Sequence, residues 1–62
     1  MSYEADLIRK ITGKISGIKN KNITPAESKI GVLFVALKKV NEGQHDELMN
    51  NYKAVLKTIN QN

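Results

Sequence analysis

The sequence predicts an all-α fold, either a small three-helix bundle or a helical hairpin with a packed N-terminal helix. Three segments repeat apolar residues at the spacing of a helical turn, and signals that start or stop helices lie between them. A chain of 62 residues holds one domain at most. We therefore predict a single helical domain over residues 1–62, with helices at about 3–17, 25–42 and 44–60.

The first helix is predicted to begin after Ser2, which suits the N-cap position. The acidic residues Glu4 and Asp6 then lie in the first turn, where the helix dipole favours negative charge. The next apolar residues fall within about 100° of one another around a helix. They are Leu7, Ile8, Ile11, Ile15 and Ile18.

Two glycines weaken the second half of this helix. Gly13 and Gly17 each cost about 1 kcal/mol in a helix interior, so we expect fraying from Gly13 onward. An extended conformation for residues 15–23 is left open as an alternative.

The second helix has the clearest start signal in the chain. Thr24 and Glu27 have the spacing of a capping box, and Pro25 occupies the first helical position, where an N–H is not needed. The helix is predicted to run to about residue 42, and Gly43 suits a left-handed stop.

The third helix is predicted over residues 44–60, with its apolar residues on one face about 120° wide. They are Leu48, Met49, Tyr52, Val55, Leu56 and Ile59. The short connection at residues 42–43 makes the second and third helices antiparallel neighbours.

The second helix carries more apolar surface than one side of a helix needs. Val32 and Val35 flank Lys39, together with Ser28, on the side opposite its main apolar stripe. A helix that is apolar nearly all round is normally buried nearly all round. These residues are therefore predicted to bind a partner protein or a second copy of the chain. The alternatives are that the first helix covers them or that the fold tolerates two exposed valines.

The net charge of +4 and a pI near 9.6 raise the question of nucleic-acid binding. Helix dipoles explain much of the charge distribution, because acidic residues lie at helix starts and lysines lie in later turns. A basic surplus remains in the first third of the chain, where it could contact the phosphates of a nucleic acid or an acidic protein. It consists of Arg9, Lys10, Lys14, Lys19 and Lys21.

Two observations argue against a protein that recognises nucleic acid. No aromatic residue is interleaved with the basic run to stack on bases. Asp46 and Glu47 would bring negative charge to the start of the recognition helix in a helix-turn-helix. Nucleic-acid association is therefore kept as the alternative function.

Catalysis is not expected, and neither a metal nor another cofactor is predicted. The chain has no cysteine, and His45 is its only histidine. These residues offer neither the spacing of a metal site nor a nucleophile with its base. His45 lies at the start of the apolar face of the third helix, where we expect it to close the edge of the core.

The sequence predicts a cytoplasmic protein without a membrane span. Its N-terminus lacks the pattern of a signal peptide, and the longest apolar stretch, residues 30–37, is far short of the roughly 20 residues a span needs. The first helix could still lie on an anionic membrane surface. The leading prediction is a small protein-interaction or regulatory module that docks through its second helix.

Overall fold

A computed structural model of the chain describes residues 2–60. These residues form four helices and no strand: α1 (Tyr3–Lys19), α2 (Pro25–Ser28), α3 (Ile30–Val40) and α4 (Glu42–Asn60). The three long helices, α1, α3 and α4, pack against one another, and the short α2 leads into α3. The predicted all-α bundle is confirmed.

Helix α1 begins where the sequence predicted and continues further. The Ser2 hydroxyl oxygen accepts a hydrogen bond from the Ala5 amide at 3.0 Å. The helix passes both glycines without a break and ends at Lys19, so the expected fraying and the extended alternative were wrong for residues 15–19. A Cβ at Gly17 would lie 3.3 Å from Cγ1 of Ile23, because the chain turns back and packs Ile23 over this position.

The predicted second helix is divided at Lys29. Its start is confirmed: the Thr24 hydroxyl accepts from the Glu27 amide at 3.1 Å, and the Glu27 carboxylate accepts from the Thr24 amide at 3.0 Å. Lys29 then adopts a left-handed backbone, with φ 53° and ψ 34°. The prediction of one continuous helix over 25–42 was therefore wrong.

The joint between α3 and α4 is a single extended residue, Asn41, with φ −159° and ψ 92°. Its side-chain oxygen accepts from the Gln44 amide at 3.0 Å and so caps the start of α4. Gly43 has a negative φ and lies inside α4, so its predicted role as a left-handed stop was wrong. Because Asn41 caps α4, the second helix ends two residues earlier than expected and the third begins two residues earlier.

The core lies between α1 and α3. Within residues 2–60, its buried apolar side chains come only from these two helices, and α4 contributes residues that are partly buried. The buried set is Leu7, Ile11, Ile15, Ile18, Ile30, Phe34 and Leu37. Since α1 and α4 both pack on the inner side of α3, the opposite side of α3 faces outward.

Candidate functional site

The outward side of α3 exposes two valines. The side chains of Val32 and Val35 are 71% and 61% exposed, whereas Phe34 on the opposite side of the same helix is 2% exposed. Lys39 is also exposed and lies between the two valines around the helix. We call the surface formed by Val32, Val35 and Lys39 the α3 face. Neither α1 nor α4 covers it.

Ser28 does not belong to the α3 face, which corrects its predicted place there. It is 2% exposed, and its hydroxyl donates to the Pro25 carbonyl oxygen at 2.7 Å and accepts from the Ile30 amide at 3.2 Å. The left-handed residue Lys29 interrupts the helical phase, so Ser28 no longer projects in the direction that a continuous helix would give it. Its hydroxyl serves the α2–α3 junction.

Two open grooves flank the α3 face, and both are rich in lysine. The α1–α3 groove has a volume of about 680 Å³ and is lined by Lys10, Lys14, Glu27, Ser28, Lys29, Val32 and Leu33. The α3–α4 groove has a volume of about 410 Å³ and is lined by Gly31, Phe34, Val35, Lys38, Lys39, His45 and Met49. The two grooves together hold five of the ten lysine and arginine residues of the chain and one of its six acids.

The surroundings of the α3 face are positively charged. Within residues 2–60, no ion pair involves Lys14, Lys29, Lys38 or Lys39. The one acid in the grooves, Glu27, is held by the Thr24 amide and hydroxyl. These hydrogen bonds keep the pKa of Glu27 below its ordinary value of 4.5. An uncompensated group of cations therefore surrounds two exposed valines.

The five basic residues predicted to contact phosphate do not form one patch. Arg9 and Lys10 both pair with Asp6, at 2.7 and 3.2 Å. The hydrogen bond from Lys10, followed by that from Arg9, lowers the pKa of Asp6 below 3.8. Lys10 and Lys14 line the α1–α3 groove, whereas Lys19 projects about 140° away from Lys14 around α1. Lys21 lines a separate depression beside the end of α4.

Helix α1 has no free apolar face for a membrane surface. Ile11, Ile15 and Ile18 are 0%, 9% and 1% exposed because they form the core. The alternative of an interfacial α1 helix was therefore wrong. Within the described part of the chain, no helix is long and apolar enough to cross a bilayer.

His45 packs at the edge of the core, as the sequence predicted. Its ring meets Phe34 edge-to-face at a centroid distance of 5.7 Å, and its side chain is 13% exposed. Nδ1 lies 2.9 Å from a carboxylate oxygen of Asp46. Residues 2–60 contain no group of three or more side chains placed to hold a metal ion.

Lys29 and Lys38 belong to this site although they were not predicted there. Lysine has no intrinsic preference for a left-handed backbone, so its residue type did not indicate a helix break at Lys29. Lys38 could have been found, because it lies about 60° from Val35 around α3. The approach of Lys10 and Lys14 to α3 depends on tertiary packing.

Comparisons with known proteins found no relative of this chain. The chain matches no protein-family model, and no curated protein and no solved structure is detectably similar to it.

Proposed function

We propose that this protein is a small, non-enzymatic interaction or regulatory module that docks on another protein through the α3 face. The observation that carries the proposal is the exposure of Val32 and Val35, at 71% and 61%, on a helix whose other side forms the core. Covering each valine would contribute on the order of 1 kcal/mol or more. The interface must therefore extend into the flanking grooves to be stable.

Another protein fits this face better than a second copy of the chain. In a two-fold dimer the same patch contacts itself. The grooves beside Val32 and Val35 hold five lysines, so a self-contact would bring like charges together. We therefore favour a partner of different composition over the homodimer.

A protein partner is also favoured over nucleic acid. The exposed centre of the face is aliphatic, since Val32 and Val35 form it, and stacking with bases needs aromatic side chains. The basic residues of the first third of the chain point in different directions from α1 and the turn after it. We propose the cytoplasm as the location, since a chain without cysteine gains no disulfide from an oxidising compartment.

Site-specific photo-crosslinking in the cells that make the protein tests the proposal. A benzophenone amino acid replaces Val35 in one variant. In the matched control it replaces Ala54, which is exposed on α4 outside both grooves. We expect the variant at Val35 to give a discrete protein adduct that the variant at Ala54 does not give. Equal adducts at both positions, or none at Val35, would contradict docking through the α3 face.

A further inference from the structure

We infer that the partner segment is an acidic amphipathic helix that lies along the α1–α3 groove. This inference rests on the proposed function, since it names the chemistry of the segment that would cover Val32. It follows from three features of the groove: its charge, the backbone of Lys29, and the apolar residues along its walls.

The positive charge of the groove favours binding of carboxylates from another molecule. Lys10 and Lys14 approach from α1 and Lys29 approaches from the α2–α3 junction. Lys10 has Asp6 as a neighbour at 3.2 Å, but Lys14 and Lys29 form no ion pair within residues 2–60. The Glu27 carboxylate accepts from the Thr24 amide and caps α2. Two of the three lysines are thus free to bind acidic side chains of a partner.

The backbone of Lys29 is a separate observation. With φ 53° it occupies the left-handed region, which glycine adopts at little cost and lysine does not. Within residues 2–60 its side chain makes no hydrogen bond or ion pair that would stabilise this conformation. Strained backbone conformations cluster at binding sites. A lysine at this helix break is explained if its ammonium group binds the partner.

Apolar residues continue along the groove from its basic end. Val32 and Leu33 stand beside the lysines. Tyr3 lies two turns before Lys10 on the same side of α1, and Val40 lies two turns after Leu33 on the same side of α3. Tyr3 and Val40 are 62% and 46% exposed. Ile18 at the end of α1 lies beside Ile59 at the end of α4, so these two helices run in the same direction. The one-residue joint at Asn41 makes α4 antiparallel to α3, so α1 and α3 are antiparallel as well, and Tyr3 and Val40 lie toward the same end of the groove.

A helix is the segment that such a groove accepts. The described residues form no sheet edge to which an extended peptide could add a strand. Val32 and Leu33 in the first turn of α3 line the groove, and the 11 residues of α3 span about three turns in all. An amphipathic helix can set leucine-like side chains on Val32 and Leu33 while its carboxylates reach Lys14 and Lys29. A bare phosphate backbone would leave these apolar side chains uncovered.

Peptide selection on the purified protein tests the inference while the partner is still unidentified. A displayed library of random peptides is selected on the full-length protein and counter-selected on the Lys14→Glu/Lys29→Glu variant. We expect the recovered peptides to be enriched in aspartate and glutamate, with large aliphatic residues three and four positions apart. Recovery without acidic enrichment overturns the inference, as does a failure to recover any peptide.

Fluorescence anisotropy with a recovered, labelled peptide then locates the contact. We expect the Lys14→Glu/Lys29→Glu variant to lose about tenfold or more in affinity. The control Lys53→Glu/Lys57→Glu makes the same charge change on α4, outside both grooves, and should bind within about twofold of the natural protein. An equal loss in the control overturns the inference. If circular dichroism shows that the first variant is less helical, Lys29→Gly replaces it, since glycine relaxes the backbone and removes the ammonium group.

Two further comparisons separate the outcomes. A single-stranded oligonucleotide of the same net charge is titrated at the same salt concentration. Binding as tight as that of the peptide would assign the groove to nucleic acid and overturn the inference. A crosslink at Val35 together with non-acidic selected peptides would leave docking through the α3 face standing and remove only the acidic helix. Without that crosslink, the proposed function itself fails.

Discussion

At the scale of single residues, several positions hold a residue type that the local backbone does not favour. Gly13 lies in the middle of α1, where a side chain would stabilise the helix, and a Cβ added there would meet nothing within 4 Å. Lys29 and Lys21 have positive φ values, where glycine would be favoured. The residues at these positions lower the stability of the fold, and no contact within residues 2–60 compensates for the loss. Substitutions at two of them, Gly13 and Lys29, are therefore predicted to raise the free energy of unfolding.

Replacing Gly13 with alanine should raise the free energy of unfolding by about 1 kcal/mol. The new methyl group enters open space, and the helix no longer loses the backbone entropy of a glycine. Gly17→Ala is the matched control, because its Cβ would meet Cγ1 of Ile23 at 3.3 Å. Urea unfolding followed by circular dichroism measures both. A gain at Gly17 equal to that at Gly13 would show that the Ile23 side chain moves aside without cost.

Replacing Lys29 with glycine should raise the free energy of unfolding by about 0.5–1 kcal/mol, since glycine adopts the left-handed backbone without steric cost. Lys39→Gly provides the opposite case, because Lys39 lies inside α3 and glycine should cost about 1 kcal/mol there. Urea unfolding at neutral pH compares the two variants. Destabilisation by Lys29→Gly would contradict a left-handed break between α2 and α3.

At the scale of helices, the sequence predicted starts better than ends. The Thr24–Glu27 capping box was predictable because both residues and their hydrogen bonds are local. The division at Lys29 was not, because lysine carries no signal for it. At the next joint the predicted stop at Gly43 was wrong, because the Asn41 side chain caps α4 two residues earlier.

Helical periodicity also decided how much of the candidate site was predictable. Val32, Val35 and Lys39 share one uninterrupted helix, so the periodicity placed them on one side of it. Ser28 precedes the break, and the same periodicity placed it wrongly. One groove contains Lys10, Lys14 and Lys29 because α1 packs on α3, and sequence patterns do not specify that packing.

The start of α2 should depend on pH through Glu27. Hydrogen bonds to the Thr24 amide and hydroxyl hold the pKa of Glu27 below 4.5 in the folded protein. A lowered pKa stabilises the fold above the unfolded value, and that contribution is lost as the pH falls through the folded value. Glu27→Gln retains a capping side chain but cannot titrate. Between about pH 7 and about pH 3, the natural protein should lose more stability than this variant. Equal losses in urea unfolding would contradict an ionised capping box.

At the scale of the whole molecule, a small bundle leaves one side of a helix uncovered. The core is built by α1 and α3, and α4 has no fully buried residue. Small domains bury a smaller fraction of their surface than large ones, and exposed apolar groups remain at their periphery. Here the exposed valines and the lysines without an ion pair within residues 2–60 lie around α3, which is why we propose that this helix docks on a partner.

The isolated protein should be a monomer. Five lysines in the grooves beside Val32 and Val35 oppose a symmetric contact between two α3 faces. Multi-angle light scattering after gel filtration at low salt should give the mass of one chain, 6.9 kDa. A dimer that Val35→Asp converts to a monomer would show that the α3 face binds itself instead.

Cysteine footprinting in cells tests docking through the α3 face most directly. The chain has no cysteine, so Val35→Cys and Ala54→Cys each introduce a unique thiol at an exposed position. The rate of maleimide labelling is measured for the purified protein and in permeabilised cells that make the protein at its natural level. Docking predicts that labelling at position 35 slows several-fold in the cells while labelling at position 54 does not. Equal rates at position 35 in both settings would contradict a partner on the α3 face.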